Sequence, residues 1–443
     1  MSVIDAPPAL KRQGLVLALA CVAQAMVGLD AAIVNVALPS IQRDLGVSEG
    51  GLQWIVVAYG LLLGGFLLVG GRMADQLGQR RMFLAGITVF TVASFAAGAA
   101  HHAGLLIAAR AVQGFGAALL APAALSLIAV TFADGRDRAR ALGLFGAVGG
   151  IAGSVGVVAG GLLAGGPGWR WSFFINVPAG LLVIVLAVAF LGRDRMNDRV
   201  ARLDFTAANA VTGALLLFVY ALHHTPALLL VAAGLFAVFV RAERRSATPL
   251  VPPALLRNRS LVAANATAFL ACAGLLSFIF SGSLLMQQVL GFSPGRTGVA
   301  WLATTATVFP AAMAGSRLVG RVGVRPLLIT GLSLLAAGTW WLSRDPGHAG
   351  YLTDLLPAFI CAGLGFGLCG PALQIGALTG VSRTAAGVAS GLVETMREIG
   401  GAAGVAAVST VLVTGGFRAA FAVTGVLAVL GAIVAATITG RKS

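Results

Sequence analysis

The chain has 443 residues, of which 58% are hydrophobic and only 10% charged, with a formal net charge of +15. Soluble domains carry roughly 25% charged residues, and the apolar runs here are about 20 residues or longer, the length that spans a bilayer. A string of soluble domains is excluded. So is nucleic-acid binding, because the lysines and arginines sit mostly in alternate loops and leave no basic patch interleaved with aromatics.

Residues 1–13 are polar and carry Lys11 and Arg12. The apolar run from Gly14 to Leu38 lacks a small-residue cleavage site and reads as a first span, not a cleaved leader. Six spans are predicted at about 14–39, 51–70, 82–100, 104–131, 140–165 and 171–191. The charged stretch RDRMNDRVARLD follows, then two extra spans near 204–222 and 227–241 joined by HHTP. A basic, proline-containing linker runs from Arg241 to Arg259. Six more spans are predicted at about 260–290, 296–315, 326–343, 352–380, 385–414 and 417–440. The expected organisation is a cytoplasmic N-terminus (1–13), a six-helix bundle (14–191), a linker with two extra spans (192–258), a second six-helix bundle (259–440) and a cytoplasmic tail (441–443). Only Arg43, Arg170, Arg296, Arg344 and Arg418 fall in the opposite loops, which places both termini in the cytoplasm.

Between the second and third spans stands GGRMADQLGQRR, Gly70 to Arg81. It reads as a tight charged loop at the membrane face. Gly71 and Gly78 shape the turn, and Arg72, Arg80 and Arg81 hold it on the cytoplasmic side. Shifted by 245 residues it falls on GSRLVGRVGVR, Gly315 to Arg325, which follows the second span of the later bundle. Arg72 then pairs with Arg317, Gly78 with Gly323 and Arg80 with Arg325; Asp75 is replaced by Gly320. Two matching halves are what a transporter needs and a receptor or intramembrane enzyme does not. The 60 glycines cluster in the fifth and twelfth spans, where small residues permit close helix packing, or sliding.

Ionisable residues at bilayer depth are functional candidates because burying them is costly. Five occur: Asp30, Arg110, Glu394, Arg397 and Glu398. Asp30 and Arg110 lie at similar depths on the first and fourth spans and are placed to pair, either for proton coupling or as a structural ion pair. Glu394 and Glu398 share one helix face, with Arg397 beside them. Two carboxylates so close do not both ionise easily, which suits a proton carrier or a cation site; a satisfied Arg–Glu cluster is the alternative. Asp75 is placed to latch onto the N-terminus of the thirteenth span, at Ser382 to Ala385. No Walker motif, HExxH motif or nucleophile–histidine constellation is present, so neither enzyme nor nucleotide-driven pump is expected. The cysteines (21, 272, 361 and 369) lie in apolar runs without CxxC spacing, and neither disulfide nor metal is expected.

These motifs together resemble the major facilitator superfamily, and within it the fourteen-span drug:proton antiporters of the EmrB/QacA type. LDAAIVNVALPSIQRDLG resembles the first-span motif, with Asp30 at its acidic position; LQWIVVAYGL is similar to the start of the second span, with Trp54 and Tyr59. RAVQGFGAAL resembles the fourth-span motif, with Arg110, Gln113 and Gly114, and GWRWSFFINVP and LGFSPGRTG are similar to family markers at the sixth and before the tenth span. The fifth span departs by having Val157 after Gly156 where the family carries Gly-Pro, although Gly160 and Gly161 remain. The tenth span has no acidic residue.

The resemblance implies an all-α polytopic membrane protein of major facilitator fold, with two six-helix bundles and two extra spans. It implies rocker-switch export of drugs, or of other amphipathic or cationic small molecules, against inward proton flow. On that reading Asp30, Arg110, Glu394 and Glu398 couple protons, and Asp30, Glu394, Glu398, Trp54 and Tyr59 bind substrate. Gly71, Arg72, Asp75, Gly78, Arg80 and Arg81 form the gating loop, and Gly156, Gly160 and Gly161 pack helices. No cofactor is expected beyond the proton gradient. The expected partners are a lipophilic or cationic substrate, protons and membrane lipid, with the protein a monomer in the cytoplasmic membrane. A dedicated exporter of one metabolite or antibiotic is the alternative, and a solute:proton symporter a lesser one.

Overall fold

The computed structural model of the chain describes residues 8–132, 136–192, 228–245, 257–378 and 386–438, with Leu255 and scattered residues between 210 and 221. Every regular element among them is helical. In chain order they are α1 (Pro8–Leu45), α2 (Glu49–Leu77), α3 (Gln79–Gly98), α4 (Ala103–Thr131), α5 (Arg136–Gly165), α6 (Trp171–Phe174), α7 (Asn176–Phe190), α8 (Leu228–Arg245), α9 (Arg259–Leu284), α10 (Pro294–Ala300), α11 (Leu302–Val322), α12 (Val324–Leu342), α13 (Leu356–Leu378) and α14 (Ala386–Ala435). Polar residues start several of them: Ser48 accepts from Gly51 N at 3.2 Å, Asn258 from Ser260 N at 3.0 Å, and Ser293 from Arg296 N at 3.2 Å. Each satisfies an amide that the first helical turn would leave unpaired.

Fourteen spans are expected from the sequence, whereas eight helices among the described residues are long and apolar enough to cross a membrane. Among the described residues, the apolar stretches that can be followed in α2 and α5 are Gly51–Leu67 and Val155–Gly165. α14 runs through the expected thirteenth and fourteenth spans, and Gly416 breaks it at φ +69° where the two were expected to meet. Most of the expected seventh span lies outside the described residues.

The stretch expected as a loop from Gly70 to Arg81 is nearly all helix. α2 runs on through Leu77, and α3 begins at Gln79. The whole turn is Gly78, at φ +103°, a conformation open to glycine and strained for other residues. The same device recurs 245 residues on, where Gly323 at φ +84° alone separates α11 from α12. Helix crossings repeat as well. α3 meets α4 at Gly86 and Gly116, where an added methyl on Gly86 would stand 2.9 Å from the Gly116 oxygen. α12 meets α13 at Gly331 and Gly365, where the corresponding separation is 2.5 Å.

Helices α1–α7 pack chiefly on one another, and α9–α14 likewise. Two seams join the groups. Along one, α2 lies against α14, with Gly60 facing Ala402 and Gly64 facing Ile399 and Glu398. Along the other, α5 meets α10 glycine to glycine: a methyl on Gly161 would be 2.5 Å from Gly298 Cα. That contact lies at the end of the bundle where α1 turns into α2 at Gly46. There Gln287 donates to the Val36 carbonyl at 3.0 Å and Gln288 to Gln42 at 2.9 Å, so the Gly46 end is closed.

Candidate functional site

The first cluster is built around Asp30, midway along α1. α5 grips α1 on either side of it. Methyl groups on Gly156 and Gly160 would stand 2.7 Å from the Leu29 oxygen and 2.5 Å from the Ile33 oxygen. Gly161, one residue on, packs at the seam between the groups.

Asp30 is completely buried and is paired with Arg110 from α4 in a short charged hydrogen bond. Its other oxygen accepts from Gln113 at 2.7 Å and from Asn176 of α7 at 3.0 Å. Arg110 also donates to the Ile55 carbonyl at 3.0 Å and to Gln113 at 2.7 Å, while Gln113 donates to Ser94 of α3 at 2.8 Å. The guanidinium carbon lies 4.1 Å above the Tyr59 ring. Tyr59 reaches that position because α4 has Gly114 at the crossing, where a methyl would be 2.2 Å from the Tyr59 carbonyl oxygen. A buried ion pair tolerates desolvation only when its remaining donors and acceptors are filled, and here four helices besides α1 fill them.

The second cluster lies on α14. Arg397 donates to Glu394 at 2.8 Å, and both side chains are about a third exposed, at 33% and 37%. The Cys272 thiol of α9 stands beside Arg397. Among the described residues Glu398 forms neither hydrogen bond nor ion pair, though the Arg397 charge reaches it, and its Cβ packs at the Gly64 position of α2. With both glutamates ionised, these three side chains carry one net negative charge. α2 connects the two clusters: Tyr59 lies within electrostatic reach of Asp30, Arg110 and Glu398.

The remaining candidates scatter. Trp54 is half-buried near the start of α2, and the Tyr59 hydroxyl is occupied by the Val27 carbonyl at 3.3 Å. Arg80 donates to the Val188 carbonyl at 3.0 Å and so caps the C-terminal end of α7. Gly71 and Arg72 lie within α2, and Arg81 within α3. The side chain of Asp75, and Ser382 to Ala385 to which it was expected to latch, lie outside the described residues. Asn176 and Ser94 were not singled out in the sequence, although Asn176 stands as a lone amide in the marker FFINVP. Gln53 was missed too. It lies on the α14-facing side of α2 with Gly60 and Gly64, and is buried with neither amide atom hydrogen-bonded.

A family model described as Major Facilitator Superfamily matches residues 20–405 and, in a second match, 264–443. The chain belongs to the Major Facilitator Superfamily. It is 40% identical over 411 residues to the puromycin resistance protein pur8 of Streptomyces alboniger, covering 90% of this chain and 81% of that one. It is 38% identical over 416 residues to the cephamycin export protein CmcT of Amycolatopsis lactamdurans, covering 90% and 85%. In fold it is similar to the human organic anion transporter MFSD10 (TETRAN), with a TM-score of 0.68 at 16% identity, covering 97% of this chain and all of that one. This superfamily member is a transporter and not an enzyme, a multi-pass membrane protein whose relatives confer antibiotic resistance and export.

Proposed function

We propose that this transporter exports drugs or other amphipathic, cationic small molecules across the cytoplasmic membrane in exchange for protons, by alternating access. The observation that carries the reading is the contrast between the three acids within its apolar helices. Asp30 is held by Arg110, Gln113 and Asn176, and Glu394 by Arg397, whereas Glu398 is unpaired and stands in the seam between the two groups of helices. A carboxylate that takes a proton in one state and a cation in the other must not be permanently neutralised, and it must lie where the halves move. Glu398 meets both needs. Asp30 and Arg110 then act as the fixed counterpart, linked to it through Tyr59 and α2.

The resemblance to fourteen-span EmrB/QacA antiporters, with both termini cytoplasmic, supports the same reading. The expected seventh and eighth spans then supply the two helices between the repeats. On that orientation the closed Gly46 end faces outward, and the substrate site opens to the cytoplasm.

A second reading, export of a single antibiotic or metabolite, is favoured by the puromycin resistance and cephamycin export relatives, each named for one compound. Uptake of a monovalent lipophilic dye into inverted vesicles under an imposed proton gradient separates the readings. Broad antiport predicts gradient-driven uptake of several unrelated dyes, lost with a protonophore and in Glu398→Gln. Inserted, folded protein that moves no dye, but moves one antibiotic of a panel, would favour the dedicated exporter.

A further inference from the structure

Several buried polar atoms without a partner share one contact. α1 and α9, the first helices of the two groups, meet at the Gly46 end through Gln287 on the Val36 carbonyl and Gln288 on Gln42. Inward of those bonds the two helices bury Asn35, Ser277 and Ser281, each at most 1% exposed. The Asn35 amide nitrogen donates to the Ala31 carbonyl at 2.9 Å. Its oxygen has no partner among the described residues, and neither has either serine hydroxyl or the side-chain oxygen of Gln287. A hydroxyl in an apolar helix commonly bonds the carbonyl one turn back, as Thr267 of α9 does to Ala263 at 2.8 Å. Ser277 and Ser281 do not.

Helix geometry sets these groups opposite one another. At about 100° per residue, Asn35 falls between Val34 and Val36 around α1, and Ser277 and Ser281 fall between Phe280 and Phe278 around α9. Val34 and Phe280 belong to one apolar core, Val36 and Phe278 to another. On each helix a polar strip therefore runs between the two cores, on the side where the other helix packs. The strip begins at a cavity of about 460 Å³ lined by Gln42, Arg43, Gln287, Gln288 and Phe292. Arg43, the charged residue of that lining, donates to the Pro39 carbonyl of its own helix at 3.2 Å. Asn35 lies about 10 Å inward of Gln42 along α1, and Ser277 one turn inward of Ser281. About two turns inward of Asn35 stands the Tyr59 hydroxyl, on the Val27 carbonyl, within electrostatic reach of Asp30 and Glu398.

We propose that the α1–α9 seam binds a file of water, by which protons pass from the Gly46 cavity to the neighbourhood of Tyr59 and on to Glu398. The inference rests on the antiport reading, with the Gly46 end outward. Buried polar groups that protein leaves unpaired are met by ordered water, which needs two or more polar partners. Asn35, Ser277, Ser281 and Gln287 supply them. A serine hydroxyl both donates and accepts, so it orients water in either direction, whereas the Asn35 oxygen only accepts. The strip inward of the cavity carries no fixed charge that would trap a proton. Each water takes up one proton and releases another, so the file ends unchanged and the proton from the outer solution rests on the Glu398 carboxylate.

The test is oxidation by bound water in protein held in lipid vesicles. Brief X-ray pulses turn bound water into hydroxyl radicals that oxidise adjoining side chains, read residue by residue by mass spectrometry. Phe280 is expected to oxidise at least fivefold faster than Phe83 and Phe421, although all three are at most 1% exposed. Asn35→Leu, Ser277→Ala and Ser281→Ala combined are expected to lower Phe280 oxidation at least threefold. Ser277→Ala with Ser281→Ala, which deletes two oxygens only, serves in its place if the triple variant does not fold. Equal oxidation of the three phenylalanines in wild type, or a wild-type rate at Phe280 in the folded variant, would overturn the water site. In liposomes the same variant is expected to slow substrate-driven proton movement at least fivefold, and a tenfold higher outer proton concentration is expected to recover it. No slowing, or slowing that acid does not recover, would remove the role in proton entry. Wild-type protein that moves substrate without protons would sink the antiport reading and leave the oxidation pattern untouched.

Discussion

At the scale of single residues, the two acidic clusters differ in how their charge is handled. Asp30 sits in a finished hydrogen-bond network, and removing its charge leaves the Arg110 guanidinium buried and uncompensated. Asp30→Asn should therefore destabilise the protein by about 3–5 kcal/mol, measured by thermal unfolding in detergent. Adding Arg110→Gln should recover much of that loss; no recovery would mean that the pair is not the source. Gln53 is the reverse case. Its amide is buried without a partner, a state that costs about 1–3 kcal/mol, so Gln53→Leu should leave the melting temperature unchanged or raise it. A lower melting temperature would show that the amide is satisfied in the native protein. The Asp30–Arg110 pairing was legible from the sequence, because both charges stand at equal depth in apolar runs. The contributions of Asn176 and Ser94 were not, since a neutral polar side chain in an apolar helix commonly bonds its own backbone, as Ser94 also does to the Phe90 carbonyl at 2.8 Å.

At the scale of elements, glycine decides where helices meet. The repeat was legible because a turn made of a single left-handed residue leaves a mark that survives divergence: Gly78 and Gly323 stand at the same place in two otherwise altered stretches. The extent of the turn was misread, since a charged, glycine-bearing sequence looks like a loop while its backbone continues as helix through Leu77. The glycines of α5 carry a sharper expectation. Gly160→Val would drive a side chain into the Ile33 carbonyl, 2.5 Å from the new Cβ, and should abolish recovery of folded protein. Gly320→Ala, with nothing within 4 Å, should be neutral. Equal yields of folded protein from the two variants, by size-exclusion chromatography, would show that the α1–α5 contact is looser than described.

At the scale of the whole molecule, the chain is closed at the Gly46 end by Gly161 against Gly298 and by Gln287 and Gln288 reaching α1. Gly161→Leu leaves the α1-facing glycines untouched but wedges this seam. It should shift the population towards the state open at that end, seen as faster labelling of Gln42→Cys by a water-soluble maleimide. Unchanged labelling would mean that the seam is not where the halves part. The fold class was readable from composition, whereas of the fourteen spans expected, eight helices among the described residues are long and apolar enough to cross a membrane. In the antiport proposed above, proton coupling needs one group that changes charge state as the halves move, and Glu398 lies in the α2–α14 seam. The most direct measurement is proton movement driven by a substrate gradient, recorded with a pH dye inside liposomes holding wild-type protein or Glu398→Gln. The account predicts opposed proton movement in wild type, and substrate exchange without proton movement in Glu398→Gln. Undiminished proton movement in that variant, or none in wild type that still moves substrate, would contradict it.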